Sequence, residues 1–365
     1  MSKFTVALLF GGRSGEHEVS RNSAYAVAKA LSNSYTVFPI GISKEGEWYG
    51  PVPLEGIKDF VPEKYPGKRV TILPTLDSRG KIYSLPDLEL LTEAKVIFPV
   101  LHGTYGEDGT VQGLLEMANV PYVGAGVLAS SAGMDKVIMK KIFAYSGLPQ
   151  VDFLSFTRKE IENNPDRVIL EIEEELGYPC FIKPANLGSS VGISKASRRV
   201  DVLKALQKAA QYDRKVIVEQ GVNARELEIS VLGNDDPRAS AIGEIVPCNE
   251  YYDYKAKYID DRSELIIPAK ITAEQESLLK EIALKAYKAL DCSGLARIDF
   301  FLTKDTNKIL INEINTMPGF TNISMYPKLW EYTGIPMQEL VVRLVELALE
   351  RHREKERNVI SYELE

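Results

Sequence analysis

The sequence predicts an α/β protein of two or three domains that opens on a parallel sheet. Three observations carry that expectation. The chain has 365 residues, long for a single hydrophobic core. Its first third alternates short apolar runs with amphipathic stretches, the βαβ pattern that makes parallel sheets. Its hydrophobic content of 45% and charged content of 26% are ordinary for a globular chain in water.

The elements follow in order. "FTVALLF" (4–10) is a buried-strand run, "RNSAYAVAKALS" (21–32) is helical, and "YTVFPIGI" (35–42) is strand again. "AKVIFPVLHG" (94–103) is a further strand ending in a loop, and residues 44–93, rich in Pro and Gly, read as an insertion. "PYVGAG" (121–126) marks a boundary. A second unit starts with a helix over 128–147. It continues through "YPCFIKPANLGSSVGISK" (178–195), a helix near 199–211 and the strands "KVIVEQ" and "ELEISVLG". The third, from about 235, holds "ASAIGEIVP", an aromatic-rich loop and a long helix. That helix starts at Thr272, and Gln275 three residues on completes a capping box. The last helix follows Pro336, with Leu340, Val341, Leu344 and Leu347 on one core-facing stripe.

Composition sets limits. No run approaches the ~18 apolar residues that span a bilayer, and the opening segment reads as a first strand rather than a signal peptide. Three dispersed cysteines, Cys180, Cys248 and Cys292, suit a reducing cytoplasm and show no zinc-ligand spacing. A net charge of −7 weighs against nucleic acid as a partner. It leaves room for small anions held by local lysines and backbone amides.

The most informative stretch is "ILINEINTMPGF" (309–320). Glu313 and Asn315 share one face of an apolar strand, where a carboxylate is costly unless paired. "ARIDFFL" (296–302) precedes it, with "TKDTN" as turn chemistry between. A hairpin centred near Thr306 sets Asp299 opposite Glu313 and Arg297 opposite Asn315. Two opposed carboxylates repel unless cations intervene. Asp, Glu and Asn oxygens are hard ligands suited to magnesium that also holds substrate phosphates. A plain ion pair through Arg297 is the simpler alternative, but the surrounding isoleucines and phenylalanines indicate covered faces.

Three polar loops join it. In "KPANLGSSVG" (183–192) a strand-ending lysine precedes two glycines and two serines, which suits phosphate without matching the P-loop order. "LFGGRSGEHEVS" (9–20) follows the first strand and carries Glu16, His17 and Glu18, and "LHGTYGEDGTVQG" (101–113) carries His102, Glu107 and Asp108. Loops at the carboxyl ends of parallel strands are where α/β sheets bind ligands.

Taken in order with "GMDK" (133–136), "YYDYKAKY" (251–258) and "NEINTMPGFT", these segments resemble the D-alanine–D-alanine ligases of the ATP-grasp superfamily over essentially the whole chain. The resemblance implies a three-domain ATP-grasp fold: a Rossmann-like N-terminal domain (1–126), a central domain (127–234) and a C-terminal catalytic domain (235–365). It implies ATP as co-substrate, held by Lys136, Lys183, Ser190 and Lys257 at the phosphates, with Glu219 at the adenine side and Glu226 at the ribose. Asp299, Glu313 and Asn315 correspond to ligands of two magnesium ions, with manganese able to substitute. Arg297 and the Gly319 amide correspond to the oxyanion site. Glu16 and His102 are matched to the first D-alanine and Ser324 to the second. Tyr258, Ser189 and Glu16 form a site-closing triad that favours D-Ala–D-Ala over D-serine or D-lactate as acceptor. A homodimer without membrane or nucleic-acid partners, supplying peptidoglycan precursors in the cytoplasm, is implied likewise. A dinucleotide-dependent oxidoreductase would need G-x-G-x-x-G after the first strand and would leave the acidic hairpin unexplained. A non-catalytic ATP-binding regulator would not need every metal ligand and both lysines.

Overall fold

The computed structural model describes residues 3–64, 67–189, 191–246, 264–321 and 323–359, and among them three sheets. The first has the predicted parallel centre. β1 (Thr5–Gly11) pairs with β2 (Thr36–Ile42) on one side and β7 (Val96–Val100) on the other. The Pro- and Gly-rich 44–93 stretch is no separate insertion. Its strands β3 (Trp48–Gly50), β4 (Lys68–Ile72), β5 (Lys81–Leu85) and β6 (Leu90–Glu93) extend the same sheet antiparallel to seven strands. Runs of three to five residues between turns carry too little periodicity to announce themselves.

α1 (His17–Leu31) starts four residues earlier than the sequence suggests, so His17 and Glu18 lie in its first turn. Glu18 there complements the helix dipole. The single helix expected over 128–147 is two, α3 (Val127–Met134) and α4 (Lys136–Tyr145), broken at Asp135. The Asp135 carboxylate accepts from the Val137 and Ile138 amides, each at 3.1 Å, and so starts a new helix rather than continuing the old. α2 (Thr110–Met117) follows the loop after β7.

The second sheet is antiparallel, in the order β10 (Ser194–Ala196), β9 (Cys180–Pro184), β11 (Lys215–Gln220), β8 (Phe153–Thr157). Helices α5 (Arg158–Asn163), α6 (Pro165–Glu175) and α7 (Arg199–Tyr212) share a core with it around Ile172, Ile182, Leu206 and Val218.

The third sheet runs β14 (Glu264–Ile266), β13 (Arg238–Val246), β12 (Ala224–Gly233), β15 (Gly294–Thr303), β16 (Ile309–Asn315). α8 (Ala273–Ala289) packs on it and begins with both bonds of the Thr272–Gln275 capping box. α9 (Met325–Tyr332) and α10 (Met337–Lys355) close the chain. Leu340, Val341 and Leu344 are buried as expected, but against Val6, Leu8 and Val96 of the first sheet, while Leu347 is only half-buried. The C-terminal helix is therefore part of the N-terminal core. No helix of the described residues is long and apolar enough to cross a membrane.

Candidate active site

β1 and β7 are adjacent and parallel, so the loops after them, 12–16 and 101–109, lie side by side at their carboxyl ends. Ser14 joins them, donating from Oγ to the His102 carbonyl at 2.8 Å and accepting from the Glu16 amide at 3.1 Å. Glycines bring backbone close to Glu16: a Cβ on Gly103 or on Gly188 would sit 2.8 Å from its Oε2. Gly103 has φ +76, so a side chain there is excluded twice over. Ser189, in the Gly-Ser loop, reaches across and donates from Oγ to Glu16 Oε1. Two members of the predicted triad thus meet. Tyr258, its third, lies outside the described residues, as do Ser190 and Lys257.

These groups wall a cavity of about 410 Å³, which also takes in His102, Lys136, Arg297, Glu313, Asn315, Gly319 and Ser324. The hairpin register predicted from sequence holds: Asp299 pairs with Glu313 and Arg297 with Asn315. A bulge follows, since Phe300 pairs with Ile311 and Asn312 is extra. On the other side β12 sets Glu228 opposite Asp299. Three carboxylates therefore stand abreast on neighbouring strands. Arg297 holds two of them. It chelates Asp299 through Nε and Nη2, both at 2.7 Å, and its Nε is 3.0 Å from Glu228 Oε2. Lys136, the first residue of α4, takes the other, with Nζ 3.2 Å from Glu313 Oε2 and 3.2 Å from the Leu187 carbonyl it donates to. Burial lowers the Lys136 pKa, but the charge of Glu313, with Glu219 and Glu107 behind it, outweighs that and leaves it raised.

Lys183, Glu219 and Glu226 flank this cavity rather than line it. Lys183 donates to Glu219 at 2.6 Å, and Lys140, fully buried, stands 3.5 Å from the other oxygen of the same carboxylate. Burial alone would raise the Glu219 pKa; the two lysines reverse that, while burial holds Lys140 below its ordinary value. Glu226 sits two residues before Glu228, on the same face of β12 and opposite Phe301. Ser324 caps the approach to α9. Its Oγ accepts from the Thr321 amide at 3.0 Å and would be 2.8 Å from a Cβ on Gly319, so a side chain there would push the hydroxyl aside.

Among the described residues no three His, Cys, Asp or Glu side chains converge as a metal site by themselves. The donors nonetheless fit magnesium of the substrate-held kind, which takes one or two carboxylates and completes its shell with phosphate oxygens and water. Asp299 and Glu313, opposed across one ladder with Asn315 beside them, are such a set, and Arg297 and Lys136 supply the positive charge against them.

Sequence reading passed over Lys140 and Glu228. Both carried a signal. Lys140 is one helical turn after Lys136, and Glu228 follows Glu226 at strand spacing, the same anomaly that marked Glu313 and Asn315. Glu107 was noted in its loop but given no role. It is buried, its Oε1 accepts from the Gly103 amide at 2.9 Å, and its Oε2 has no hydrogen-bond partner among the described residues. Burial and the nearby Glu16 push its pKa up to about 8.

Comparison with known proteins bears on these features. Residues 5–125 match the family model described as D-ala D-ala ligase N-terminus, and residues 142–346 match D-ala D-ala ligase C-terminus. A curated D-alanine–D-alanine ligase of Heliobacterium modesticaldum is 53% identical over 360 residues, covering 98% of each chain. One from Bacillus velezensis is 52% identical, over 95% of this chain and 98% of its own. The solved D-alanine–D-alanine ligase of Coxiella burnetii aligns with TM-score 0.85 at 35% identity, over 98% and 97% of the two chains. The VanG D-Ala:D-Ser ligase of Enterococcus faecalis aligns equally well, with TM-score 0.85 at 36% identity over 95% of this chain and all of that one.

Proposed function

This chain belongs to the D-alanine–D-alanine ligase family, and from that premise we infer that it is an ADP-forming ligase joining two D-alanines into D-alanyl-D-alanine for peptidoglycan synthesis. The observation that supports this most directly is the register of the β15–β16 hairpin. It puts Arg297, Asn315 and Glu313 on the wall of the cavity that also holds Glu16 and Ser324.

The chemistry assigned is acyl transfer through an acyl phosphate, the mixed anhydride of the substrate carboxylate with phosphate. Glu16 takes the ammonium of the first D-alanine, and His102, with both ring nitrogens bonded within the chain to Met317 and Ser23, shapes the pocket for that substrate rather than donating to its carboxylate. Lys136 and Lys183, and in the proposal Ser190 and Lys257, hold the ATP phosphates, with Glu219 and Glu226 on the nucleoside side. The carboxylate attacks the γ-phosphorus, ADP leaves, and an acyl phosphate forms. The amine of the second D-alanine, its carboxylate on Ser324, then attacks the acyl carbon. Arg297 and the Gly319 amide stabilise the tetrahedral oxyanion, and phosphate departs. Losing one such donor typically costs on the order of 10²–10³ in rate. Magnesium, with manganese able to substitute, is assigned to Asp299, Glu313 and Asn315, where it would neutralise charge on the phosphates. Ser189 on Glu16, with Tyr258 as third member, closes the site against water that would hydrolyse the acyl phosphate. The active unit proposed is a cytoplasmic homodimer.

The acceptor is the part that fold alone does not distinguish, since dipeptide and D-Ala:D-Ser ligases align equally well. The test is phosphate release from Mg-ATP with D-Ala alone, with D-Ala plus D-Ser and with D-Ala plus D-lactate, products identified by mass, L-Ala as control. D-Ala–D-Ala as the dominant product supports the reading through Tyr258. Preferred incorporation of D-Ser or D-lactate keeps the chemistry and overturns the acceptor. No turnover with any D-amino acid overturns the ligase reading itself.

A further inference from the structure

Both ring nitrogens of His102 are engaged. Nδ1 lies 2.9 Å from the Met317 carbonyl and Nε2 lies 3.1 Å from Ser23 Oγ. Ser23, completely buried on α1, also accepts from the Phe320 amide at 3.2 Å. Proton bookkeeping gives this chain one direction. A carbonyl only accepts, so Nδ1 carries the hydrogen. His102 is buried, and burial lowers its pKa, so the ring is neutral and Nε2 is an acceptor. The Ser23 hydroxyl must therefore donate to Nε2, which leaves its lone pairs for the Phe320 amide.

The chain Phe320 N–H, Ser23 Oγ–H, His102 Nδ1–H, Met317 carbonyl is a closed loop of polar groups. It joins α1 and the loop after β7 to both ends of the "MPGF" segment, across 297 positions of sequence between Ser23 and Phe320. Gly319, assigned above as an oxyanion donor, sits inside the segment so pinned. Among the described residues, the Ser23 hydroxyl is what bonds both His102 and the catalytic segment.

We propose that Ser23 is a positioning residue of the ligation reaction: it sets the Gly319 segment against the N-terminal substrate loops and keeps His102 in its Nδ1–H tautomer. This rests on the ligase reading of the site. A buried hydroxyl serving one amide would be merely structural. One that bridges an amide and an imidazole at the catalytic segment controls where the oxyanion donor stands. Removing it leaves the Phe320 amide and Nε2 buried without partners. Nε2 then becomes free to turn toward substrate or to take a proton, with the Glu16 carboxylate acting on it and Glu107, Lys136, Arg297 and Lys328 on the same cavity wall.

The test compares wild type, Ser23→Ala and Ser23→Thr as full-length chains. ADP affinity, melting temperature, kcat, the KM for D-alanine and the pH dependence of kcat/KM are measured. Ser23→Ala should keep ADP affinity within twofold, while kcat falls on the order of tenfold. The acid limb of kcat/KM should move toward neutral pH as His102 loses the donor that favours its neutral form, with burial still opposing the charge. Ser23→Thr, which keeps the hydroxyl, should restore most of kcat and the wild-type pH limb. Unchanged kcat and pH profile in Ser23→Ala overturn the proposal, as does loss of activity in both variants that only tracks melting temperature. Should Ser23→Ala not fold, ¹⁵N spectra of the wild-type His102 ring decide instead. A ring protonated on Nδ1 and not titrating between pH 5.5 and 8 supports the chain of bonds; ordinary titration or an Nε2–H tautomer refutes it. That measurement needs no turnover, so it fails separately from the ligase reading.

Discussion

Glu107 shows what a buried carboxyl costs when its partner is only half provided. One oxygen takes the Gly103 amide, the other has no partner among the described residues, and Glu16 stands close to Gly103. The fold therefore keeps the proton on Glu107 up to a pH of about 8, whereas the unfolded chain releases it near 4.5. Between those values the native state binds more protons than the unfolded one, so this group's contribution to stability is full below pH 4.5 and is lost as pH rises toward 8. Glu107→Gln keeps an acceptor for Gly103 and removes the titration. It should match wild type at pH 5 and be the more stable protein at pH 8.5, by an amount on the order of 2–4 kcal/mol. Urea denaturation of the ligand-free chain at the two pH values checks this. A difference that does not change with pH would mean the Glu107 carboxyl is already ionised in the fold. Glu228 is a buried acid with a charge beside it, for it is ion-paired with Arg297, whose own pKa is held well above the usual range. Burial opposes that shift, but Asp299 and Glu228 outweigh it.

At the scale of elements, what could be read from sequence was what repeats or what violates its surroundings. The parallel strands β1, β2 and β7 are apolar runs, the Thr272 capping box is a local code, and the Asp299–Glu313 pairing follows from counting back through a turn. Strands β3 to β6 were missed because three to five residues define no period, and β12's partner could not be read because pairing in a sheet is a tertiary choice. The break between α3 and α4 was legible in principle. "GMDK" has an aspartate directly before a lysine in an apolar run, and Asp is a strong N-cap. Its consequence is functional, for it makes Lys136 the first residue of α4 and points it at Glu313. The Asp135 carboxylate also pairs with Lys215 of β11. Asp135→Ala should cost about 1–2 kcal/mol from the lost cap, somewhat more with the ion pair, and should raise the KM for ATP several-fold. Asp135→Asn, which can still cap, should recover most of the stability. Thermal unfolding with and without nucleotide separates the two effects; an Asp135→Ala chain with wild-type stability and KM would show that α4 is placed by packing alone.

For the whole molecule the question is what keeps the first and third sheets in one frame, since the cavity is walled by both. The Ser23–His102 latch works at the cavity itself. A second tie stands further back, on α10. Arg351 donates from Nη2 to the Tyr122 carbonyl at 3.1 Å and from Nη1 to Ser293 Oγ at 2.8 Å, and its guanidinium lies 4.2 Å from the centre of the Tyr122 ring. Nη1 also reaches the Gly124 carbonyl. Tyr122 and Gly124 end the chain segment that runs beside β7, and Ser293 immediately precedes β15. There the two backbones approach so closely that a Cβ on Gly294 would meet Gly124 N at 3.2 Å. One planar fork thus holds two carbonyls on one side of the junction and the Ser293 hydroxyl on the other, which a lysine could not do in that geometry. Burial lowers the Arg351 pKa without neutralising a group that starts above 12. Arg351→Ala would strand buried carbonyls at the seam and should cost about 2–4 kcal/mol. The loss should appear as a separation of transitions. Near-ultraviolet signals from the first core, which contains Trp330, should melt before the helical signal of the whole chain. The KM for the first D-alanine should rise more than that for ATP, because Glu16 and His102 hang from the first sheet while Lys136 and Glu313 do not. Coincident transitions at the wild-type midpoint would show instead that the C-terminal helix, with Leu340, Val341 and Leu344 buried against β1 and β7, holds the two sheets together without its arginine.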